Sequence, residues 1–504
     1  MNLYQLCREA SIAIPEGVGD CEISGIKTDS RRVESGDLFL CIRGLTFDGH
    51  KYMKDAIGRG AAAVVVDGTY DGEISREVPV IVAEDTRHAA AMLYDAWYDH
   101  PSKKLKIIAV TGTNGKTSVT YMLRAIFEGA MHKCGLVGTV DCYSAGKKLN
   151  IRSENPLANM TTPDPEELYR MLAVMAEDGV EYVFMEATSH ALALRKLDAL
   201  QFEAAVFTNL TPEHLDFHGN MENYFLAKSR LFSMCKTAIL NVDDIYGKKL
   251  AQTVKCPAYT CTAHGAEADF AAMCINDCGV DGSEYALVSR NLRFTVRTPI
   301  PGAFSVINTL EAATCASVLG ISPSVIMTSL GSLAGVAGRI ERVRLGAITD
   351  FSVFIDYAHT PDALSNLLST ARGIKRQGQR VVLVFGCGGD RDKSKRPVMG
   401  KIAAELADFC IVTSDNSRSE TPMDIICDII TEMDGADTII IPDRARAIDF
   451  AIREAHDGDI ILLAGKGHEE YEINKDGKHP FSERKLAMEA ALRYHSAKES
   501  GGLL

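Results

Sequence analysis

Residues 107–130 read IIAVTGTNGKTSVTYMLRAIFEGA. The apolar run at its start has the character of a strand buried on both faces of a parallel sheet, and TSVTYMLRAIFEGA is helix-forming. Between them lies Gly112-Thr113-Asn114-Gly115-Lys116-Thr117-Ser118. In such a turn the backbone N–H groups and the positive end of the helix cradle phosphate oxygens, the lysine neutralises the β and γ groups, and the threonine ligates magnesium. The spacing departs from the standard loop, because Val110 rather than glycine stands five residues before Gly115. A bare glycine turn at a helix start is the competing reading. The strand before and the helix after supply the context that favours nucleotide binding at Gly112 through Ser118.

Working outward, YVFMEA near residue 185 and AAVFTNL near 207 are further apolar runs that end in polar residues, where strands of an open α/β sheet present ligand groups. Upstream, Pro101 and the charged SKKLK read as a linker. Residues 1–100, with SGIKTDSRRVESGDLFLCI, GAAAVVVDG and a helical HKYMKDAIGRG, read as a small α/β domain. Downstream of AGRIERVR, the segments FSVFIDYAHTPDAL, RVVLVFGCGGDRD, FCIVTSDNSR and DIILLAGKGHEE each pair a strand with a polar or glycine-rich loop, predicting a second doubly wound sheet. The expected division is 1–100, 101–340 and 341–504, with a mobile tail at SAKESGGLL and no internal repeat.

The length of 504 residues accommodates roughly three domains of about 150 residues each. A net charge of -13 disfavours a large nucleic-acid footprint and leaves a small anionic ligand in a locally basic pocket. No window approaches the roughly 18 uninterrupted apolar residues of a membrane span, so no membrane anchor is expected. The start MNLYQLCREASIAIPEG lacks the apolar core of a secretory signal, which points to the cytoplasm. The 14 cysteines are scattered and read as reduced thiols. Cys256, Cys261, Cys274 and Cys278 resemble a zinc loop only loosely, and a metal there is set aside.

Glu186 ends one strand segment, His214 closes TNLTPEH, and Lys228 lies fourteen residues further on in ENYFLAKSRLF. Magnesium prefers oxygen ligands with one or two carboxylates, so Glu186 suits it, and a histidine beside it completes or orients the shell. Singly, each of these residues is better read as solvated or locally satisfied. Beside a phosphate loop they form a site hypothesis.

In order along the chain, Gly112–Ser118, Glu186, Thr208-Asn209-Leu210, His214-Leu215-Asp216, Lys228, Gly338-Arg339, Asp356-Tyr357-Ala358-His359 and Gly386-Cys387-Gly388-Gly389-Asp390-Arg391-Asp392 resemble the Mur ligases of peptidoglycan synthesis. Thr28-Asp29-Ser30-Arg31, Ser35-Gly36-Asp37-Leu38-Phe39, Thr161-Thr162-Pro163 and Ala464-Gly465-Lys466-Gly467-His468-Glu469 resemble most closely the MurE type, which adds the third residue to UDP-N-acetylmuramoyl-L-alanyl-D-glutamate. The resemblance implies an N-terminal uridine-nucleotide-binding α/β domain, a central P-loop mononucleotide-binding sheet and a C-terminal Rossmann-like domain. It implies ATP and Mg2+ as cofactors and, as partners, the UDP-linked dipeptide and a diamino acid; the chain is expected to act as a monomer.

Residue by residue, the resemblance makes Lys116, Glu186, His214, Lys228 and Arg339 catalytic. Thr117, Glu186, His214 and Lys228, the last as a carbamate, would hold metal. Asn308, Arg339 and Asp356 join the loop in binding ATP, Asp356 at the ribose; a cap or turn carboxylate is the plainer reading of Asp356. Ser30, Thr161, Thr162, Thr188 and Lys196 would bind the UDP-peptide. Thr188 stands in place of a serine, Lys196 of an arginine, and Ser305 of an asparagine. Arg391, Asp415, Asn416, Ser417, Arg418, Gly465 and Glu469 would bind the amino acid, with a simple ion pair to Asp390 or Asp392 as the alternative for Arg391.

Asp415-Asn416-Ser417-Arg418 occupies the place of an Asp-Asn-Pro-Arg motif in diaminopimelate-adding enzymes. An arginine fork suits the second carboxylate of meso-diaminopimelate and repels the ammonium of lysine. L-lysine or another amine, a folylpolyglutamate-synthase-like ligase and a catalytically silent UDP-peptide-binding scaffold are the competing readings.

Overall fold

The computed structural model describes residues 1–44, 47–70, 77–149, 151, 160–333, 335–345 and 349–499. The chain divides into two compact units, Met1–Cys261 with Thr314–Ile321 and Thr262–Ala313 with Ser322–Leu504.

The first unit holds two sheets. Strands Gly25–Lys27, Asp37–Leu40, Ala63–Asp67 and Val80–Ala83 pair in parallel in chain order. Helix Thr86–Trp97 follows them, capped by the Asp85 carboxylate, which accepts from the N–H groups of Arg87 and His88. The larger sheet runs Ala258–Thr262, Ala238–Asn241, Phe202–Phe207, Lys106–Thr111, Tyr182–Glu186, Cys134–Val137. All of these pair in parallel, and the short strands Cys142–Ser144 and Lys147–Lys148 extend the last as an antiparallel ribbon. Their side chains are buried on both faces, which is why the runs IIAV, YVFM and AAVF are continuously apolar.

Register decides function here. Val110 sits opposite both Glu186 and Val206, so the chain leaves three neighbouring strands at one edge and delivers Gly112, Glu186 and Thr208 together. The expected linker is corrected: Pro101–Lys104 is a helical turn with Pro101 at its start, and Pro101 and Ser102 are buried.

The second unit contains a three-stranded antiparallel meander, Phe270–Asp277, Ser283–Ser289 and Arg293–Thr298, for which the sequence reading supplied no strands. Its six-stranded sheet runs Glu341–Arg342, Ser352–Asp356, Ile460–Ala464, Val381–Phe385, Phe409–Val412, Thr438–Ile440, parallel except for the first pair. Alternate strand residues serve two cores: Phe354, Leu383 and Leu462 pack with helices Pro361–Ile374, Lys395–Leu406 and Pro422–Ile430, while Val353, Val382 and Ile461 pack with Arg444–Arg453 and Glu483–Glu499. This is the expected doubly wound sheet. The last helix runs to Glu499, into the stretch read as tail, and residues 500–504 lie outside the described residues.

Candidate active site

The phosphate loop is held from behind by the Thr208–Thr211 strip. Asn209 O accepts from Thr113 N at 2.9 Å, Asn209 Oδ1 from Asn114 N at 2.9 Å, and Thr208 Oγ1 donates to Asn114 O at 2.5 Å. Gly112 has φ +153°, and a Cβ there would lie 2.0 Å from Thr208 Oγ1, so this position admits only glycine. Gly115, at φ +87°, caps the helix Lys116–Gly129 and has no side chain to offer its first turn. The Lys116 ammonium donates to the carbonyls of Gly112 and Thr113 at 2.9 and 2.8 Å, curled over the loop it serves. Ser118 is half-buried on the same helix.

Glu186 is 1% exposed, and three donors surround its carboxylate. Oε1 accepts from Thr117 Oγ1 at 3.1 Å and from Thr139 N at 2.8 Å, and Oε2 from Thr139 Oγ1 at 3.0 Å. Thr139 Oγ1 also lies 3.0 Å from Thr161 Oγ1. Thr162 Oγ1 donates to Glu186 O at 2.8 Å and sits 3.1 Å from Thr188 Oγ1, which caps the helix Ser189–Ala193. Lys196, nearly buried, pairs with Asp164 at 2.7 Å. Ser30 is buried at the start of the turn Ser30–Arg32. Thr139 is a site residue that sequence reasoning missed.

Lys228 is 1% exposed and donates to Gly112 O at 2.8 Å, the carbonyl that Lys116 also uses. Burial, and after it the Lys116 charge, push the Lys228 ammonium well below the ordinary lysine range. Its Nζ lies 4.8 Å above the Tyr224 ring, whose hydroxyl is 3.2 Å from Thr113 Oγ1. The same ring faces His214 at 6.3 Å. His214 adopts φ +56° at the head of Leu215–His218 and packs edge-on against His190 at 4.7 Å. His218, missed from sequence, bonds Ser189 Oγ at 2.9 Å, and burial followed by the neighbouring histidines lowers its pKa to about 4.

Glu186 therefore touches the loop through Thr117, Lys228 touches it through Gly112, and His214 approaches it through Tyr224. A hydroxyl and a carboxylate at 3.1 Å are hard oxygen donors, and a buried amine poised to lose its proton can be converted to a third; this donor set fits magnesium.

In the second unit, Asp356 ends its strand with Oδ2 accepting from Ile340 N at 2.8 Å and Oδ1 from Ala358 N at 2.9 Å. Burial raises its pKa, and Arg339 counters this. The Arg339 guanidinium lies 5.3 Å from the Tyr357 ring centre. Asn308 is buried in helix Ala303–Val318.

A further cluster gathers at the ends of strands Phe409–Val412 and Ile460–Ala464. Asn416 Nδ2 donates to Glu469 Oε2 at 2.8 Å, and Asp415 Oδ2 would lie 2.8 Å from a Cβ on Gly465. Arg418 donates to the carbonyls of Gly389 and Asn416 at 2.8 and 3.2 Å, and Ser417 is buried. Arg391 bonds the Asp390 carbonyl at 3.2 Å. A Cβ on Gly388 would lie 3.0 Å from Arg418 Nη1 and 3.8 Å from Arg391 Cγ, so both arginines flank the Gly388 backbone. Burial raises the Glu469 pKa against the Asn416 hydrogen bond. Lys466 and Arg444, both wholly buried, were not singled out from sequence. Lys466 reaches Asn416 Oδ1, and Arg444 ties Ser414 O to Ala464 O while pairing with Glu483 at 2.8 Å.

A parallel sheet that opens into a glycine-rich phosphate loop, with a buried carboxylate and a buried lysine at the same edge, defines a nucleotide-binding domain built for phosphoryl chemistry. Three family models match the chain: "Mur ligase family, catalytic domain" over residues 22–98, "Mur ligase middle domain" over 110–316 and "Mur ligase, glutamate ligase domain" over 338–467. The chain is 42% identical over 499 residues to the UDP-N-acetylmuramoyl-L-alanyl-D-glutamate–2,6-diaminopimelate ligase of Syntrophomonas wolfei, covering 97% of this chain and 99% of the relative. The enzyme of the same name from Caldanaerobacter subterraneus is 42% identical, covering 94% and 96%. A solved structure, also of a UDP-N-acetylmuramoyl-L-alanyl-D-glutamate–2,6-diaminopimelate ligase, superposes with TM-score 0.68 at 30% identity over 94% of this chain and 95% of the other. This chain belongs to the Mur ligase family.

Proposed function

We propose that the protein uses ATP to join meso-diaminopimelate to the D-glutamate γ-carboxylate of UDP-N-acetylmuramoyl-L-alanyl-D-glutamate, as a monomer in the cytoplasm, in peptidoglycan precursor synthesis. The observation that carries this is the convergence on one loop of Lys116, Lys228 and the Thr117–Glu186 pair. The names of the relatives support the choice of substrates. Residues 1–100 would hold the uridine nucleotide, 101–340 the ATP and 341–504 the amino acid.

A carboxylate is a poor electrophile because its leaving group would be oxide. Attack of the γ-carboxylate on the ATP γ-phosphate breaks the bond to the β-phosphate, releases ADP and gives an acyl phosphate; the neutral amine then attacks the acyl carbon, phosphate leaves and the nitrogen gives up a proton. Two anions must meet, so positive charge has to gather where they do. Lys116 and Arg339 supply it from the chain. Thr117, Glu186, His214 and carbamylated Lys228 would hold magnesium, which when bound screens the phosphates. Lys228 suits carbamylation because only a neutral amine attacks carbon dioxide, giving up a proton as the carbamate forms, and burial lowers the pKa of this amine. Thr161, Thr162, Thr188 and Lys196 would orient the peptide, with Ser30 at the nucleotide. Asn308 and Asp356 would hold the adenosine. Arg391 would take the α-carboxylate of the amino acid, and Asp415, Asn416, Ser417, Arg418, Gly465 and Glu469 its distal end.

The test supplies the UDP-linked dipeptide and ATP with meso-diaminopimelate or L-lysine in parallel, follows phosphate release and weighs the products. Phosphate release and a product mass with diaminopimelate are expected. Preferential ligation of lysine would overturn the reading of Arg418, and no release with any amine would overturn the ligase.

A further inference from the structure

Lys466 is wholly buried, and its ammonium is fully committed. Nζ donates to Asn416 Oδ1 at 3.0 Å and to Tyr471 O at 3.0 Å, and lies 3.5 Å from Asp415 Oδ1. A lysine ammonium has three donors and no acceptor, whereas an asparagine amide has one face of each kind. The oxygen of Asn416 must therefore turn toward Lys466, where Ile473 N donates to it as well, at 2.9 Å. That leaves Nδ2 one direction, and it points at Glu469 Oε2, 2.8 Å away.

We propose that Lys466 is a positioning residue for the amino-acid pocket: with the Ile473 N–H it clamps the Asn416 amide oxygen, and through that amide it steadies the Glu469 carboxylate, which the Tyr471 hydroxyl holds from another side. The proposal rests on the pocket assignment given under the proposed function. Lys466 would touch no substrate. Without it Asn416 Oδ1 keeps only the Ile473 N–H as a donor, Asp415 loses its buried cation, and Glu469 is left with the Tyr471 hydroxyl and a less firmly held Asn416 amide. The amine would then meet a carboxylate held less firmly on its Asn416 side, and grip on the amine should fall before grip on the nucleotides does.

The experiment is a double-mutant cycle on the full chain with Lys466→Met and Asn416→Ala, reading KM for the amino acid, for ATP and for the UDP-linked dipeptide separately. Lys466→Met is expected to raise the amino-acid KM roughly 10- to 100-fold, leaving the other two within about threefold. In the Asn416→Ala background the same change should add less than about threefold, because the residue it acts through is gone. Should Lys466→Met fail to fold, Asn416→Asp keeps the lysine paired and sets a second carboxylate oxygen against Glu469. Its amino-acid KM should then improve as pH falls and the two carboxylates share a proton. Additive effects in the cycle, an unchanged amino-acid KM in Lys466→Met, or a pH-independent Asn416→Asp would overturn the positioning role. If Asn416→Ala itself leaves the amino-acid KM unchanged, the pocket assignment fails instead.

Discussion

Replacing Glu186 by glutamine separates its charge from its hydrogen bonds. The carboxylate accepts from Thr117 Oγ1 and Thr139 N on one oxygen and from Thr139 Oγ1 on the other. A glutamine whose carbonyl takes the Oε1 place keeps the first two. Its amide then donates to Thr139 Oγ1, and that hydroxyl can accept while donating onward to Thr161 Oγ1, 3.0 Å away. The existing donors keep their partners and only the second N–H of the new amide has to find an acceptor, so the cost to folding should stay within about 1–3 kcal/mol. What disappears is the one formal negative charge that faces the phosphate-loop hydroxyl, and with it the attraction for a divalent cation. We expect kcat for phosphate release to fall at least about 100-fold, with partial recovery as magnesium is raised. The assay pairs a thermal melt with phosphate release across a magnesium series. A Glu186→Gln protein that turns over within about threefold of the parent would refute the metal role. One that melts far lower would show that the carboxylate is there to hold the strand edge.

Gly112→Ala places a methyl 2.0 Å from Thr208 Oγ1, so the loop must leave its backing strip; nucleotide affinity measured by calorimetry should drop at least about tenfold, and unchanged affinity would contradict the packing described. Lys228 binds its proton less readily folded than unfolded, because burial lowers its pKa below the ordinary value of about 10.4. Between those two values the unfolded chain carries more protons, so in CO2-free buffer stability should rise with pH across that window relative to Lys228→Met, and a flat difference would argue against it. With 13C-labelled bicarbonate, a carbamate resonance absent from Lys228→Met should appear.

Much of this was legible in the chain because of how parallel strands are buried. IIAV, YVFM, AAVF, VVLVF and IILLA are apolar without interruption, since both faces of their sheets are covered, and the polar residue or glycine that follows each run marks the sheet edge where the candidate site residues gather. The meander at residues 270–298 escaped because it follows another rule. In Ser283–Ser289 and Arg293–Thr298 only alternate positions are buried, Ser283, Tyr285 and Leu287 against Glu284, and Val296 and Thr298 against Arg297. That period of two is weaker than a continuous run, although SEYALV and RFTVRT do carry it. The turn at Pro101 escaped because a proline opens a helix as readily as it ends a domain.

Thr139 shows a different limit. No motif marks it, yet it supplies two of the three donors on Glu186. Its place follows from register: Val137 sits opposite Met185, so the residues just beyond Val137 run beside Glu186. The neighbour Gly138 carries the same information, since a Cβ there would lie 2.6 Å from Glu186 Oε1 and would push the carboxylate off the Thr139 N–H. A glycine followed by a hydroxyl residue at the end of a buried strand is thus a signal, but one that acquires meaning only after a buried carboxylate has been placed on the adjoining strand and its donors must be found. Lys466 is the counterpart in the other unit: it lies inside the Ala464–Glu469 string that resembles the MurE type, but it becomes informative only when the Asn416 oxygen is seen to face a side chain that can do nothing but donate.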